Sequence, residues 1–128
     1  MTAWTDYQLD ALSGATDIRL KSRKDNGSLT PAAIVWVVAL DNDIYVRADG
    51  GQEVKWFERA QLKHRGRITG GGIEEDVVFE EPDASLTAAI NGAYELKYGR
   101  FGDQYVDAIV SPDAESATFR LVLEDEPE

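Results

Sequence analysis

The sequence of 128 residues contains no cysteine and a single histidine. The lack of cysteine excludes disulfides, thiolate metal ligands and a cysteine nucleophile. The single histidine excludes metal sites and catalytic mechanisms that need two imidazole groups. We therefore expect no metal cofactor.

Long hydrophobic runs are also absent. The longest run, residues 32–40, has the length of a strand and falls short of the ~18–20 residues that a membrane helix needs. The first residues show neither the basic segment nor the apolar segment of a secretory signal. These observations predict a soluble, cytoplasmic protein without a membrane partner.

Basic residues are scarce, because 13 lysines and arginines stand against 24 acids and leave a formal net charge of −11. This charge disfavours binding to nucleic acid, and no nucleic-acid partner is expected. Between Arg19 and Arg67, however, ten bases accompany only six acids. That segment forms either a local anion site or ordinary solvated strand faces.

Hydrophobic residues make up 43% of the chain and charged residues 29%, which is the balance of a folded globular protein. The length suits one well-cored domain, and no repeat or linker interrupts it. We expect a single domain over residues 1–128, with a frayed acidic tail at 124–128.

Short alternating segments separated by turn signals, among them a hairpin turn at Asp41-Asn42 and a turn at Gly70-Gly71-Gly72, predict an α+β fold. Six or seven antiparallel strands are expected to close into a small split β-barrel, because closure removes exposed strand edges. The wholly apolar strand at 34–40 is expected to be covered on both faces. Strands are predicted at 17–23, 34–40, 44–48, 65–69, 73–81, 106–111 and 117–123, with a short N-terminal helix at 4–12, a short middle helix at 54–62 and a longer late helix at 83–98.

The middle of the chain resembles a family of small bacterial proteins known only as a domain of unknown function. The resemblance covers residues 30–121. Its motifs are Thr30-Pro31, Ile34-Val35-Trp36-Val37-Val38, Gly50-Gly51, Lys55-Trp56-Phe57-Glu58-Arg59-Ala60 and Thr118-Phe119-Arg120-Leu121.

More distantly, the same order of elements resembles the split β-barrel superfamily. Its members include FMN-binding oxidases of the pyridoxamine phosphate type and deazaflavin-dependent nitroreductases. The pair Gly50-Gly51 followed by Lys55-Trp56 is similar to the nitroreductase motif, although Val54-Lys55 replaces the proline that commonly precedes the tryptophan. The resemblance implies an FMN or deazaflavin cofactor, and a homodimer that holds the cofactor between its subunits.

This resemblance also suggests where the cofactor binds. Arg47, Gly50, Gly51 and Lys55 would hold its phosphate, because an arginine fork, a lysine and close backbone amides suit a phosphate group. Trp56 and Tyr45 would shape the ring site, since aromatic walls suit a planar heterocycle. In the alternative interpretation, Arg47 faces solvent on an edge strand and the two glycines merely turn the chain.

Two other aromatic groups have a double interpretation. Trp36 could flank a planar ring, but its apolar strand favours a place in the core. Tyr94, Tyr98 and Tyr105 form an aromatic patch around the end of the late helix, where Tyr94 and Tyr98 lie four residues apart. This patch could cap a pocket, support a dimer or pack the helix onto the barrel.

Two function hypotheses follow. In the first, the protein binds a phosphorylated heterocycle, such as FMN or a deazaflavin, which carries out hydride transfer while the protein binds and orients it. In the second, the barrel is a non-enzymatic module for a small anion or a protein partner.

Overall fold

The computed structural model of the protein describes residues 4–16, 18–24, 26–48 and 55–124. Apart from Glu124, the predicted acidic tail lies outside these ranges. Within them the chain forms six strands and five α-helices. These are α1 Asp6–Gly14, β1 Ile18–Ser22, β2 Ala33–Leu40, β3 Asp43–Arg47, α2 Lys55–Lys63, β4 Arg65–Gly70, β5 Ile73–Glu80, α3 Thr87–Tyr98, α4 Asp103–Ile109, α5 Pro112–Ser116 and β6 Thr118–Leu123.

The strands form a closed antiparallel barrel in the order β1-β2-β3-β6-β5-β4. Pairing of β1 with β4, for example Lys21 opposite Arg67, closes the cylinder. This confirms the expected α+β fold with a small antiparallel barrel. Because each strand has two neighbours, the barrel leaves no open edge among these six strands.

Two tight turns set the strand register. Asp41 and Asn42 join β2 to β3 with φ values of 50° and 69°, the left-handed conformation of a two-residue hairpin turn. Gly71 and Gly72 join β4 to β5, also with positive φ. Both turns confirm the sequence prediction.

Alternate residues of the strands point into the barrel and form its core. Helix α1 adds Leu9 and Leu12, and α2 adds Phe57 and Ala60 from the opposite end, where it joins β3 to β4. The strands contribute Ile18, Leu20, Val35, Val37, Ile44, Val46, Ile68, Ile73, Val77, Phe79, Phe119, Leu121 and Leu123.

A helical layer covers part of the outer barrel surface. Helices α3 and α4 pack on the outward residues of β2 and β3, and this contact forms a second apolar cluster. The 3₁₀ turn Gly99–Phe101 links the two helices. The buried members of this cluster are Val38, Tyr45, Ile90, Tyr94, Tyr98 and Ile109.

The prediction of a strand at 106–111 is wrong, because these residues end α4 and the turn after it. Val106, Ile109 and Val110 are spaced by three and four residues, so the same apolar pattern also suits one helix face. No strand position remains for the segment, since β6 already pairs with both β3 and β5.

Coverage of β2 also differs from expectation. Val38, near its C-terminal end, is buried beneath the helical layer, whereas Ile34, near its start, is 64% exposed. The helical layer therefore covers only the C-terminal half of this strand. The uncovered half matters for the site described below.

The close contact of β1 and β4 gives a test of the barrel. A Cβ atom at Gly66 would lie 2.1 Å from the carbonyl oxygen of Lys21 and 2.9 Å from the Phe79 ring. We expect Gly66→Ala to lower the free energy of unfolding by about 2–3 kcal/mol, as overpacking does. Gly92→Ala, on α3 with open space around the new Cβ, should raise it by about 0.5–1 kcal/mol. Urea denaturation measures both, and equal effects would contradict this packing.

Candidate ligand-binding cleft

The structure describes four of the six site residues that the sequence predicts. Tyr45 and Arg47 lie on the outward face of β3 and are buried under the helical layer. Lys55 begins α2 and is exposed, while Trp56 is half-buried against the barrel core. Gly50 and Gly51 lie outside the described residues. The phosphate site at Arg47, Gly50, Gly51 and Lys55, with Trp56 and Tyr45 beside the ring, therefore stays a prediction.

Arg47 is only 1% exposed and joins four elements. Its Nε donates to the Thr118 hydroxyl of β6 at 2.9 Å. Its Nη1 donates to the Asn91 side-chain oxygen of α3 and, at 3.1 Å, to the carbonyl of Ile109 in α4. The guanidinium also lies 5.2 Å from the centre of the Tyr94 ring. The alternative that Arg47 faces solvent on an edge strand is thus wrong.

The charge of Arg47 has a compensating acid nearby. Asn91 donates through its Nδ2 to Glu115 at 2.7 Å, so one amide bridges the guanidinium and a carboxylate. Burial lowers the pKa of Arg47, while Tyr94 and Glu115 act in the opposite direction. Arginine remains charged in proteins, so this is a buried cation whose Nε and Nη1 groups are hydrogen-bonded inside the fold.

The cavity beside Arg47 is a poor site for a phosphorylated heterocycle. Its volume is about 220 Å³, below the range of about 300–1,000 Å³ that is usual for ligand pockets. Three acids, Glu81, Asp83 and Glu115, line it. A phosphate would be repelled there.

A larger, aromatic cleft opens where the helical layer leaves β2 uncovered. It has a volume of about 360 Å³. The ring centres of Trp36 and Tyr98 are 4.7 Å apart, and those of Tyr98 and Phe101 are 6.1 Å apart. Phe101 is 45% exposed. The residues lining this aromatic cleft are Thr16, Ile34, Val35, Trp36, Tyr98 and Phe101.

Two tyrosines of α3 hold the helix against β2, and one of them, Tyr98, forms a wall of the aromatic cleft. The Tyr98 hydroxyl donates to the Val37 carbonyl and accepts from the Val37 N–H, both at 3.1 Å. The Tyr94 hydroxyl donates to the Trp36 carbonyl at 2.6 Å. Burial raises the pKa of Tyr98 to about 12, so the hydroxyl stays protonated as this contact requires.

Two cations lie beside the aromatic cleft, at the end of α3. Lys97 Nζ donates to the carbonyls of Val37 at 2.6 Å and Leu12 at 3.1 Å. Arg100 lies three residues on, with its guanidinium 4.9 Å from the centre of the Phe101 ring. Among the side chains that the structure describes, neither cation forms an ion pair with a carboxylate. Burial, and secondarily Arg100, lower the pKa of Lys97 to about 8.

A second hollow of about 340 Å³, here called the cationic hollow, contains both Lys97 and Arg100. The end of α1 and the second half of β2 supply its other side. Its lining comprises Ser13, Gly14, Val38, Ala39, Ala93, Leu96, Lys97 and Arg100.

Sequence reasoning identified part of this region. It considered Trp36 as a ring neighbour and Tyr98 as part of a pocket-capping patch, but it missed Lys97, Arg100 and Phe101. The available signal was the alternation of cations and rings in Lys97-Tyr98 and Arg100-Phe101 at a helix end.

The barrel with its outer helical layer defines the fold class, and comparison with known proteins gives the family. Residues 8–121 match the family described as "Uncharacterized protein conserved in bacteria (DUF2255)", and the chain belongs to it. No curated protein matches the sequence.

Two solved structures share the fold. An FAD-binding protein from Mesorhizobium loti is 19% identical, with a TM-score of 0.58 over 97% of this chain and 93% of that chain. A conserved hypothetical protein from Mycobacterium tuberculosis is 13% identical, with a TM-score of 0.62 over 95% of this chain and 82% of that chain.

Two further findings concern the part of the chain that the structure describes. It contains no group of three or more histidine, cysteine or acidic side chains placed to hold a metal ion. None of its helices is long and apolar enough to span a bilayer.

The contacts of Arg47 predict a structural role that can be measured without a ligand. Arg47→Lys removes the fork that reaches Thr118, Asn91 and Ile109 together, and should lower the free energy of unfolding by about 2–4 kcal/mol. The matched change Arg59→Lys, on the exposed face of α2, should stay within about 0.5 kcal/mol. A stable Arg47→Lys variant in urea denaturation would contradict the buried network.

The environment of Lys97 predicts an unusual pH dependence of stability. Its pKa is about 8 in the fold against 10.5 in a free chain, so the unfolded chain binds more protons between these values. The free energy of unfolding should therefore rise from pH 8 to about pH 10. Beyond that it should fall, because Tyr94 and Tyr98 ionise only in the unfolded chain.

Urea denaturation at pH 8, 9 and 10 checks this expectation. In Lys97→Met the rise should disappear, while Lys24→Met, which removes an exposed lysine, should retain it. If the free energy of unfolding changes with pH in the same way in the native protein and in Lys97→Met, the lowered pKa of Lys97 is contradicted.

Proposed function

We propose that the protein binds a flavin-type cofactor, or another phosphorylated heterocycle, with the ring of the ligand in the aromatic cleft. The observation that carries this proposal is the set of three neighbouring rings, Trp36, Tyr98 and Phe101, around an open volume of about 360 Å³. That volume lies within the usual range for ligand pockets.

The chemistry of the aromatic cleft suits a planar, electron-poor ring. Aromatic pairs attract each other when their centres are 4.5–7 Å apart, and Phe101 is exposed enough to offer a face to a ligand. Ile34 supplies an apolar surface on β2, where the helical layer ends. The FAD-binding protein from Mesorhizobium loti, which shares the fold, supports the choice of a flavin among planar ligands.

A flavin or deazaflavin supplies hydride-transfer chemistry when it is bound. The residues of this chain would bind the ring and shield one of its faces from water. Tyr98 would keep the wall of the cleft rigid, because its hydroxyl is fixed on the Val37 backbone. FMN and deazaflavin both fit this proposal.

A second candidate function is the non-enzymatic docking module, assembled as a homodimer. The observation that favours it is the exposure of Ile34, Leu96 and Phe101 around the two hollows. Large exposed apolar side chains that cluster are typical of interaction surfaces. Light scattering of the native protein and of Ile34→Glu would show whether this surface holds two copies together.

Titration with riboflavin tests the ring site, because riboflavin carries the ring without a phosphate. Phe101→Ala should weaken binding about tenfold through the loss of one stacking contact. Tyr7→Ala, an exposed aromatic residue of α1 outside the aromatic cleft, should bind like the native protein. Flavin fluorescence and calorimetry provide the readout.

The titration also separates this site from the one predicted at α2. If Trp56→Leu loses riboflavin binding while Phe101→Ala binds normally, the ring binds beside Trp56 and the proposal is contradicted. The absence of binding at high micromolar riboflavin, FMN and deazaflavin would favour the docking module.

A further inference from the structure

We propose that Lys97 and Arg100 form a phosphate-binding site in the cationic hollow, and that this site holds the phosphate group of the ligand whose ring occupies the aromatic cleft. The identity of the ligand rests on the function proposed above, whereas the anion site itself can be tested without any flavin.

The first argument is the position of the two cations. Lys97 lies in the last turn of α3, and Arg100 lies three residues on, in the 3₁₀ turn Gly99–Phe101, where side chains at this spacing point to the same side. Both line the cationic hollow of about 340 Å³. A tetrahedral anion in this space would meet an ammonium and a guanidinium together, the two groups that bind phosphate most often.

The second argument is charge balance. Among the described side chains, neither cation pairs with a carboxylate, and Arg100 contributes to the lowered pKa of Lys97. Two like charges at this spacing repel each other, and the repulsion grows as the site is shielded from water. A bound anion would neutralise this repulsion.

The third argument is that Lys97 is held in place before any ligand arrives. Its ammonium donates to the carbonyls of Leu12 and Val37, which leaves one of its three N–H groups for another acceptor. A lysine fixed in this way loses little conformational entropy on binding. The ammonium is also 5.0 Å from the centre of the Tyr98 ring, which stabilises its charged form.

The acids nearby confine an anion to the α3 side of this region. Asp6, Asp10 and Asp41 line a separate hollow, which shares Ser13 and Ala39 with the cationic hollow. These acids repel an anion from the separate hollow beyond Ser13. In the cationic hollow itself, Gly14 presents no side chain, so the space stays open.

Two contacts connect residues of the cationic hollow to residues of the aromatic cleft. Val37 accepts from both Lys97 and Tyr98, and the Arg100 guanidinium lies against the Phe101 ring. A ligand that stacks its ring on Phe101 would therefore extend its polar chain past Arg100. The structure thus offers adjacent places for the ring and the phosphate of one molecule.

Inorganic phosphate is the probe that tests the anion site alone. The side-chain resonances of Lys97 should titrate with a pKa of about 8 without phosphate. Saturating phosphate should raise this pKa, because a bound anion stabilises the ammonium. The side-chain resonances of the exposed Lys24 should not respond to phosphate. An unchanged Lys97 pKa at millimolar phosphate would overturn the proposal.

Comparison of FMN with riboflavin tests the site with the complete ligand. FMN should bind at least about tenfold more tightly than riboflavin to the native protein. In Arg100→Ala and in Gly14→Asp, the ratio of the riboflavin Kd to the FMN Kd should fall close to one. In the control variant Arg59→Ala, this Kd ratio should equal that of the native protein. Gly14→Asp is informative because both cations remain, while a carboxylate enters the open space beside them.

The outcomes distinguish failure of this inference from failure of the proposed function. Normal riboflavin binding with no phosphate response would retain the aromatic cleft and reject the anion site. If Lys55→Met abolishes the preference for FMN over riboflavin while Arg100→Ala and Gly14→Asp retain it, the phosphate binds at the predicted α2 site instead. Lys97→Met removes the lysine that donates to the Leu12 carbonyl, and this change could prevent folding. The test therefore relies on Arg100→Ala and Gly14→Asp, which keep Lys97 in place.

Discussion

The buried guanidinium of Arg47 is the contact on which the arrangement of barrel and helices depends. It connects β3 to α3, α4 and β6 through Asn91, Ile109 and Thr118. A buried cation is costly unless its hydrogen bonds are complete, so this network selects one placement of the helical layer over alternatives that leave the charge unsatisfied. An apolar contact at the same position would tolerate sliding, because hydrophobic packing has little directional preference.

The placement of α3 determines the chemistry at its end. The hydrogen bonds of the helix to β2 are made at Trp36 and Val37, while Trp36 remains half-buried and Ile34 is exposed. Tyr98 and Lys97 complete the hydrogen bonds of the Val37 backbone, which β1 does not reach, since its pairing with β2 extends only to Val35. The structural contacts that fix the helix therefore also form the aromatic cleft and the cationic hollow.

The sequence was sufficient to predict the barrel because its signals are local. Alternation identified most strands, and the turn at Asp41 and Asn42 identified a hairpin. The prediction for segment 106–111 failed because the apolar pattern of six residues cannot distinguish a strand from one helix face. The burial of Arg47 was not predictable, since its partners lie 44, 62 and 71 residues away in the sequence. The cationic hollow was not predictable for the same reason: its residues come from α1, β2, α3 and the 3₁₀ turn after α3, and only the fold brings them together.

The position of a bound ring tests the central claim, that this family member uses the aromatic cleft as its ligand site. Nuclear Overhauser contacts between FMN and isotope-labelled protein provide that measurement. The account predicts contacts from the ring methyl protons of FMN to Trp36 and Phe101. Contacts to Trp56 with none to Phe101 would contradict it, and would place the ring beside α2.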